Sequence, residues 1–326
     1  MGTFIGNKQT IMGNAMGHSV SAISVHLRLL GMVLLWGASY SWAKIVVAAV
    51  PPVTAATLRF SLASLVLLLW LHHLRRTRLL LMLSWRQWAG IALAAICGIV
   101  LYTMCFMFAL RHIDAGRAAV LFALSPVLTL LMASWLFREK LNVLIVAGIL
   151  LAVTGSAIVT ARGNPLSLLR GGIGTGEWLI FISVFLWTGY TLIGRKMLTG
   201  MDALTTTIVT LFLGAMFLLP VSLLIDGGAG WRAVAQASFP TWMALLALTL
   251  GSTSLAYAWY FDGIRLLGAG NAAGYLTLEP VFGVLIAALW LHEPLHWSLL
   301  GGGLVVVGGM LLMYCGRRRI AVSPAA

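Results

Sequence analysis

Glu279 has less local reason to be where it is than any other acid in this sequence. It lies eight residues into the apolar run NAAGYLTLEPVFGVLIAALW with no basic neighbour, roughly 12 Å along a helix that rises 1.5 Å per residue. A carboxylate near the middle of a bilayer costs about 2.5 kcal/mol or more, so it must face a watery cavity or a partner. Two kinds of chemistry suit it there: exchanging a proton, or holding a cationic group of a solute. Pro280 follows directly, and Pro126 occupies the matching place in an earlier apolar run. Proline deletes a backbone hydrogen bond and frees the carbonyl four residues back, here Leu276 and Phe122, which inside a membrane is tolerable only against protein or water. Pro126 and Pro280 are therefore expected to be paired hinges around a central site.

Helical spacing nominates the walls of that site. Trp36, Tyr40 and Lys44 are four apart, as are Trp187, Thr191 and Arg195. Tyr275 shares a face with Glu279, and Thr253, Tyr257 and Tyr260 share another. Tyr102 joins the set, and so does Ser125, which stands where the second copy of the repeat described below has Glu279. The candidate substrate-binding residues are thus Trp36, Tyr40, Tyr102, Ser125, Trp187, Thr191, Tyr257, Tyr275 and Glu279. Rings with hydroxyls and few full charges fit an amphipathic solute of metabolite size. No residue pattern points to a catalytic group, a metal or a cofactor.

The elements that must position these residues are membrane helices. The chain is 61% hydrophobic and 9% charged, with a mean hydropathy of +1.00, whereas soluble domains are about 25% charged. Ten apolar runs are long enough to cross a bilayer: about 29–48, 55–72, 87–110, 117–137, 142–160, 177–197, 203–224, 241–262, 271–291 and 298–315. The sequence also repeats itself. Aligned at a constant offset of 154, Arg111–Gly155 and Arg265–Gly309 share 16 of 45 residues without a gap, and LLWGASYSWAK at Leu34 answers FLWTGYTLIGR at Phe185. Five spans per copy is an odd number, so the second copy enters the membrane from the opposite side. The expected fold is an all-α integral membrane protein of ten transmembrane helices arranged as two inverted five-helix repeats. Its parts are an N-terminal tail (1–28), a first repeat (29–160), a linker (161–176), a second repeat (177–315) and a basic C-terminal tail (316–326).

Basic residues at span ends set the orientation. With the N-terminus inside, 14 Lys and Arg fall on the inner side and 6 on the outer, leaving Arg59 within a span. Both termini are therefore expected in the cytoplasm and the linker outside. The net charge of +13 is explained by these flanks and implies no nucleic-acid partner. Most other charges have local explanations. Glu139 and Glu293 precede spans five and ten, at the positive end of a helix dipole. Asp262 has Arg265 nearby, Asp114 lies between Arg111 and Arg117, and Lys44 and Arg59 can snorkel from the outer ends of their spans. Cys97, Cys105 and Cys315 show no metal or disulfide spacing and read as packing residues. Small residues at Gly90, Ala94 and Gly98, at Gly148 and Gly155, and at Gly302 and Gly309 mark close helix contacts, expected within a monomer. GGIGTGE in the linker lacks the Gly-Lys-Ser/Thr ending of a phosphate loop.

The segments LLWGASYSWAK with TLRF, ALRHIDAGRAAVLFALSPVLTLLMASWLFREKL and GIRLLGAGNAAGYLTLEPVFGVLIAALWLHEPL resemble the EamA family of the drug/metabolite transporter superfamily. The resemblance runs from about residue 29 to 315. It implies a cavity bounded by spans one to four and six to nine, with five and ten outside, and export of amino acids or other metabolites across the bacterial inner membrane. The implied partners are a small amphipathic solute and the lipid bilayer. The four-helix multidrug relatives use an embedded Glu in their first helix; spans one and six here have none, and Glu177 is only at the mouth of span six. Drug efflux is the alternative transport reading. A membrane-embedded enzyme is a remote one, since the chain has neither HExxH nor GxSxG.

Overall fold

A computed structural model describes residues 22–73, 83–138, 141–162, 173–197, 203–267, 272 and 274–322. They form an all-α bundle without strands among the described residues. The long apolar helices are α1 (Ala22–Ala49), α2 (Pro52–His73), α3 (Trp85–Ala109), α4 (Ala115–Phe137) and α5 (Val143–Thr160) in the first repeat. In the second they are α6 (Thr175–Met197), α7 (Ala203–Ile225), α8 (Phe239–Ile264) and α10 (Trp297–Val322), with α9 (Leu276–Trp290) a shorter apolar helix. A short helix that the apolar runs do not foretell, Gly227–Ala235, joins α7 to α8. Val143, Leu150, Leu289 and Leu304 stand exposed on the outside of the bundle, as lipid-facing side chains must.

The duplication is visible in the packing. α1 packs against α8 and α9, and α6 against α3 and α4; α2 pairs with α7, and α5 with α10. Exchanging the two repeats maps this pattern onto itself. The α5 and α10 contact is antiparallel and made by glycines: a Cβ on Gly148 would sit 2.6 Å from the Gly309 carbonyl oxygen, and one on Gly155 would sit 2.5 Å from that of Gly302. The seven-residue spacing thus joins the repeats to each other within one chain.

One end of the bundle, where α1 finishes and α4 and α6 begin, is fastened by carboxylates. Glu293 accepts hydrogen bonds from the backbone N–H groups of Ala115 (2.8 Å) and Gly116 (3.0 Å), the first residues of α4. Its Oε1 also receives the Lys44 ammonium at 2.9 Å, which bonds Asp114 at the same distance. Glu293 therefore caps α4 of the other repeat and not its own α10, which starts at Trp297, out of capping reach. Glu139, its counterpart, lies outside the described residues. Glu177 pairs with the buried Arg117 at 3.0 Å, and Asp226 takes the backbone N–H and hydroxyl of Thr54 near the start of α2, both at 2.8 Å. At the opposite end Asp262 pairs with Arg28 at 3.1 Å; the Arg265 side chain is outside the described set. His26 there hydrogen-bonds Tyr275. The three cysteines are free thiols.

Candidate functional site

A cavity of about 120 Å³ lies between α1, α2, α3, α4, α6, α8 and α9, and Met310 of α10 completes its lining, so α10 is not wholly outside as the resemblance implied. Its walls are largely aromatic. Tyr102 sits 5.2 Å from Trp187 and 5.7 Å from Phe122 between ring centroids, Tyr40 packs edge-on against Phe106 at 5.4 Å, and Trp36 meets Tyr257 at 5.4 Å. Such offset and edge-on pairs are favourable and hold one another in place, giving the cavity rigid sides.

Polar groups reach it where helices depart from α geometry. α4 breaks between Ala115–Phe122 and Ser125–Phe137, and α9 passes through a 3₁₀ turn at Leu276–Leu278 before Glu279–Trp290. Pro126 and Pro280 fall in the first turn of each second half, where a missing N–H costs nothing within the helix. Glu279 is consequently the first residue of a half-helix, the helix end that its place in the sequence conceals. The break also satisfies the Leu276 carbonyl, which accepts from the Glu279 N–H and so is not left free. Glu279 Oε1 accepts from the Tyr40 hydroxyl at 3.1 Å.

A second departure occurs in α8, whose segment Ala247–Leu255 is a π-helix; α3 has one at Ile96–Leu101. The two end at matching positions of the repeats, and both border the cavity. Widened turns of this kind recur at functional sites because they leave carbonyls available. Here the Ser252 carbonyl takes the Trp36 indole N–H at 2.9 Å. The hydroxyls of Ser252 and Thr253 both donate to the Leu248 carbonyl, each at 2.9 Å. Their oxygens then face Arg59, whose Nε donates to Thr253 at 3.0 Å and whose Nη2 lies 3.4 Å from Ser252.

The profile of the EamA-like transporter family matches this chain twice, at residues 23–161 and 174–315, one match per repeat. The chain belongs to that family. Among its relatives, the uncharacterized transporter YyaM of Bacillus subtilis is 25% identical over 88% of this chain and 92% of its own length. An uncharacterized transporter of Archaeoglobus fulgidus is 28% identical over 88% and 96%. A protein of Streptantibioticus cattleyicolor, a probable terminal-alkyne amino-acid exporter, is 27% identical over 72% of this chain and 76% of its own. A crystal structure 21% identical in sequence superposes with a TM-score of 0.63 over 91% of this chain and 100% of that one, in agreement with the fold. This EamA-like protein is a multi-pass membrane transporter.

Of the residues that spacing nominated in this EamA-like chain, Trp36, Tyr40, Tyr102, Ser125, Pro126, Trp187, Tyr257, Glu279 and Pro280 line the cavity. Two do not. Thr191 is exposed and gives its hydroxyl to the Trp187 carbonyl of its own helix at 2.9 Å, because the cavity ends at Trp187. Tyr275 is turned away to His26: the 3₁₀ turn between it and Glu279 advances about 120° per residue where an α-helix advances 100°, so four residues no longer share a face. Tyr260 packs behind Trp36 at 5.4 Å. Lys44 leaves the face of Trp36 and Tyr40 for its ion pairs, and the Arg195 side chain is outside the described residues. Sequence reasoning placed Arg59 among the snorkelling residues, yet it lines the cavity. The signal was available: TLRF places Arg59 seven residues into α2 in a run without acids, too deep to be explained by a span end.

Proposed function

We propose that this protein is a secondary transporter that exports small metabolites, amino acids foremost, across the bacterial inner membrane by alternating access. The observation that carries this reading is Glu279, an acid at the start of a half-helix in the wall of a central aromatic cavity, bonded to Tyr40. Discontinuous helices meeting at mid-depth between inverted repeats are the usual construction of a transporter binding site. An acid there suits a solute amine, and the flat rings suit a side chain of variable size. The name of the Streptantibioticus cattleyicolor relative agrees with this substrate class. An aromatic cavity with one acid also fits a lipophilic cation, so drug efflux is the second reading.

Purified protein in proteoliposomes, loaded in turn with radiolabelled amino acids and with lipophilic cations, separates the two by counterflow. Glu279→Gln keeps the shape and much of the hydrogen bonding of the acid and should leave the protein folded. It is expected to abolish pH dependence if Glu279 exchanges a proton, or to weaken amino-acid binding at every pH if it holds the amine. Unchanged transport by the variant at acidic and neutral pH would remove Glu279 from the site.

A further inference from the structure

We infer that Arg59 is the carboxylate-binding residue of the cavity and that, with Glu279, it restricts transport to solutes carrying a carboxylate and an amine together. This deepens the amino-acid reading above and rests on it. Arg59 lines the same cavity as Glu279, and among the described residues no carboxylate lies within ion-pair distance of its guanidinium. Its contacts are neutral: the Thr253 and Ser252 hydroxyl oxygens and the Phe60 ring, 5.1 Å below. Both hydroxyls are oriented by donating to Leu248, so their lone pairs are what they can offer Arg59. A guanidinium has five N–H donors, and these contacts occupy few of them.

A cationic side chain at membrane depth is costly unless it meets an opposite charge. Glu279 is in the cavity but spends its contact on Tyr40 and does not close on Arg59. Two opposite charges set apart across one cavity are complementary to a zwitterion, whose carboxylate meets the planar fork of Arg59 and whose amine meets Glu279. Each charge comes from a different repeat, and neither has an equivalent in the other copy: Ser125 answers Glu279, and α7, the counterpart of α2, contains no Lys or Arg. A phosphate ester fits less well, because a dianion would be repelled by Glu279 with only one guanidinium to hold it. Cations lacking an acid group leave Arg59 uncompensated and are disfavoured by the same arithmetic.

The test uses the full-length protein in proteoliposomes with matched probes. L-phenylalanine and L-leucine carry both charges; phenethylamine and isopentylamine lack the carboxylate; 3-phenylpropionate and 4-methylpentanoate lack the amine; phenyl phosphate replaces the carboxylate. The parent protein is expected to exchange the amino acids and reject the other probes. Arg59→Gln should weaken amino-acid binding roughly 10- to 100-fold, as expected for loss of a charge-assisted hydrogen bond. Arg59→Lys keeps the charge without the fork and should fall between the two. Thr253→Val leaves Arg59 in place but unsteadied and guards against misfolding of the Arg59 variants; it should raise KM for the amino acids without admitting the amines. Amino-acid exchange undiminished in Arg59→Gln would overturn this inference and leave the amino-acid reading standing. Exchange of the amines alone by the parent protein would overturn both, and preference for phenyl phosphate would overturn the carboxylate assignment.

Discussion

Glu293→Ala is expected to open the end of the bundle that its carboxylate fastens. The Glu293 side chain is only 9% exposed and holds two α4 backbone N–H groups and the Lys44 ammonium at once. Removing one member of a buried, hydrogen-bonded charge pair costs about 3 to 5 kcal/mol. Lys44 is 29% exposed and keeps Asp114, so the lower figure applies. If these contacts exist only while this end is closed, a loss of about 3 kcal/mol shifts the closed-to-open ratio roughly 100-fold. The assay is the rate at which an impermeant maleimide, applied from the side where α1 ends, labels a cysteine at Ser39 in the cavity wall, with Cys97, Cys105 and Cys315 replaced. Labelling should accelerate in Glu293→Ala and less in Glu293→Gln, whose amide oxygen still accepts from one N–H. A folded variant labelled at the parent rate would refute the reasoning and make the cap a static staple.

Two further outcomes are expected. Replacing Pro126 or Pro280 with Ala should supply an N–H that lets the α-helix extend back across the break and slow turnover while substrate still binds, measured as a fall in transport rate at unchanged affinity; normal turnover in both would make the breaks packing features only. For topology, single cysteines at Ser167 and Ser323 in intact cells should react with an impermeant reagent at 167 and not at 323. The reverse pattern would contradict cytoplasmic termini.

The sequence carried the architecture because two simple signals agree: runs of about 20 apolar residues, and a gapless 154-residue offset. It found much of the cavity lining because Trp36, Tyr40, Trp187 and Tyr257 sit on regular stretches where spacing of four means a shared face. It failed where the helix is irregular. The 3₁₀ turn before Glu279 rotates Tyr275 away, and the π segment of α8 gathers Ser252 and Thr253 onto Arg59 by bonds to Leu248 four and five residues back. Pro280 marks the break in the sequence but not the 3₁₀ turn that precedes it, and the π segment of α8 has no residue signature of its own. Long-range pairings were equally invisible. Glu293 with Ala115, Asp226 with Thr54 and Arg28 with Asp262 join residues more than 170 positions apart, and a reading confined to neighbours gave Glu293 to α10 and did not include Arg28 beside Asp262.

What the repeats share and where they differ follows from what each part must do. The proposed alternating access needs matching elements at both ends, and these are features the copies keep: Pro126 with Pro280, the π segments ending at Leu101 and Leu255, Gly148 and Gly155 with Gly302 and Gly309. In the sequence Glu139 is identical to Glu293, and Arg195 stands basic like Lys44. A solute with an amine at one side and a carboxylate at the other has no two-fold axis. A symmetric cavity would carry each charge twice, and one acid and one guanidinium would stay uncompensated whenever a single solute is bound. The cavity thus breaks the symmetry at Glu279, answered by Ser125, and at Arg59, answered by an α7 without Lys or Arg, while the helix breaks and packing glycines around it retain it.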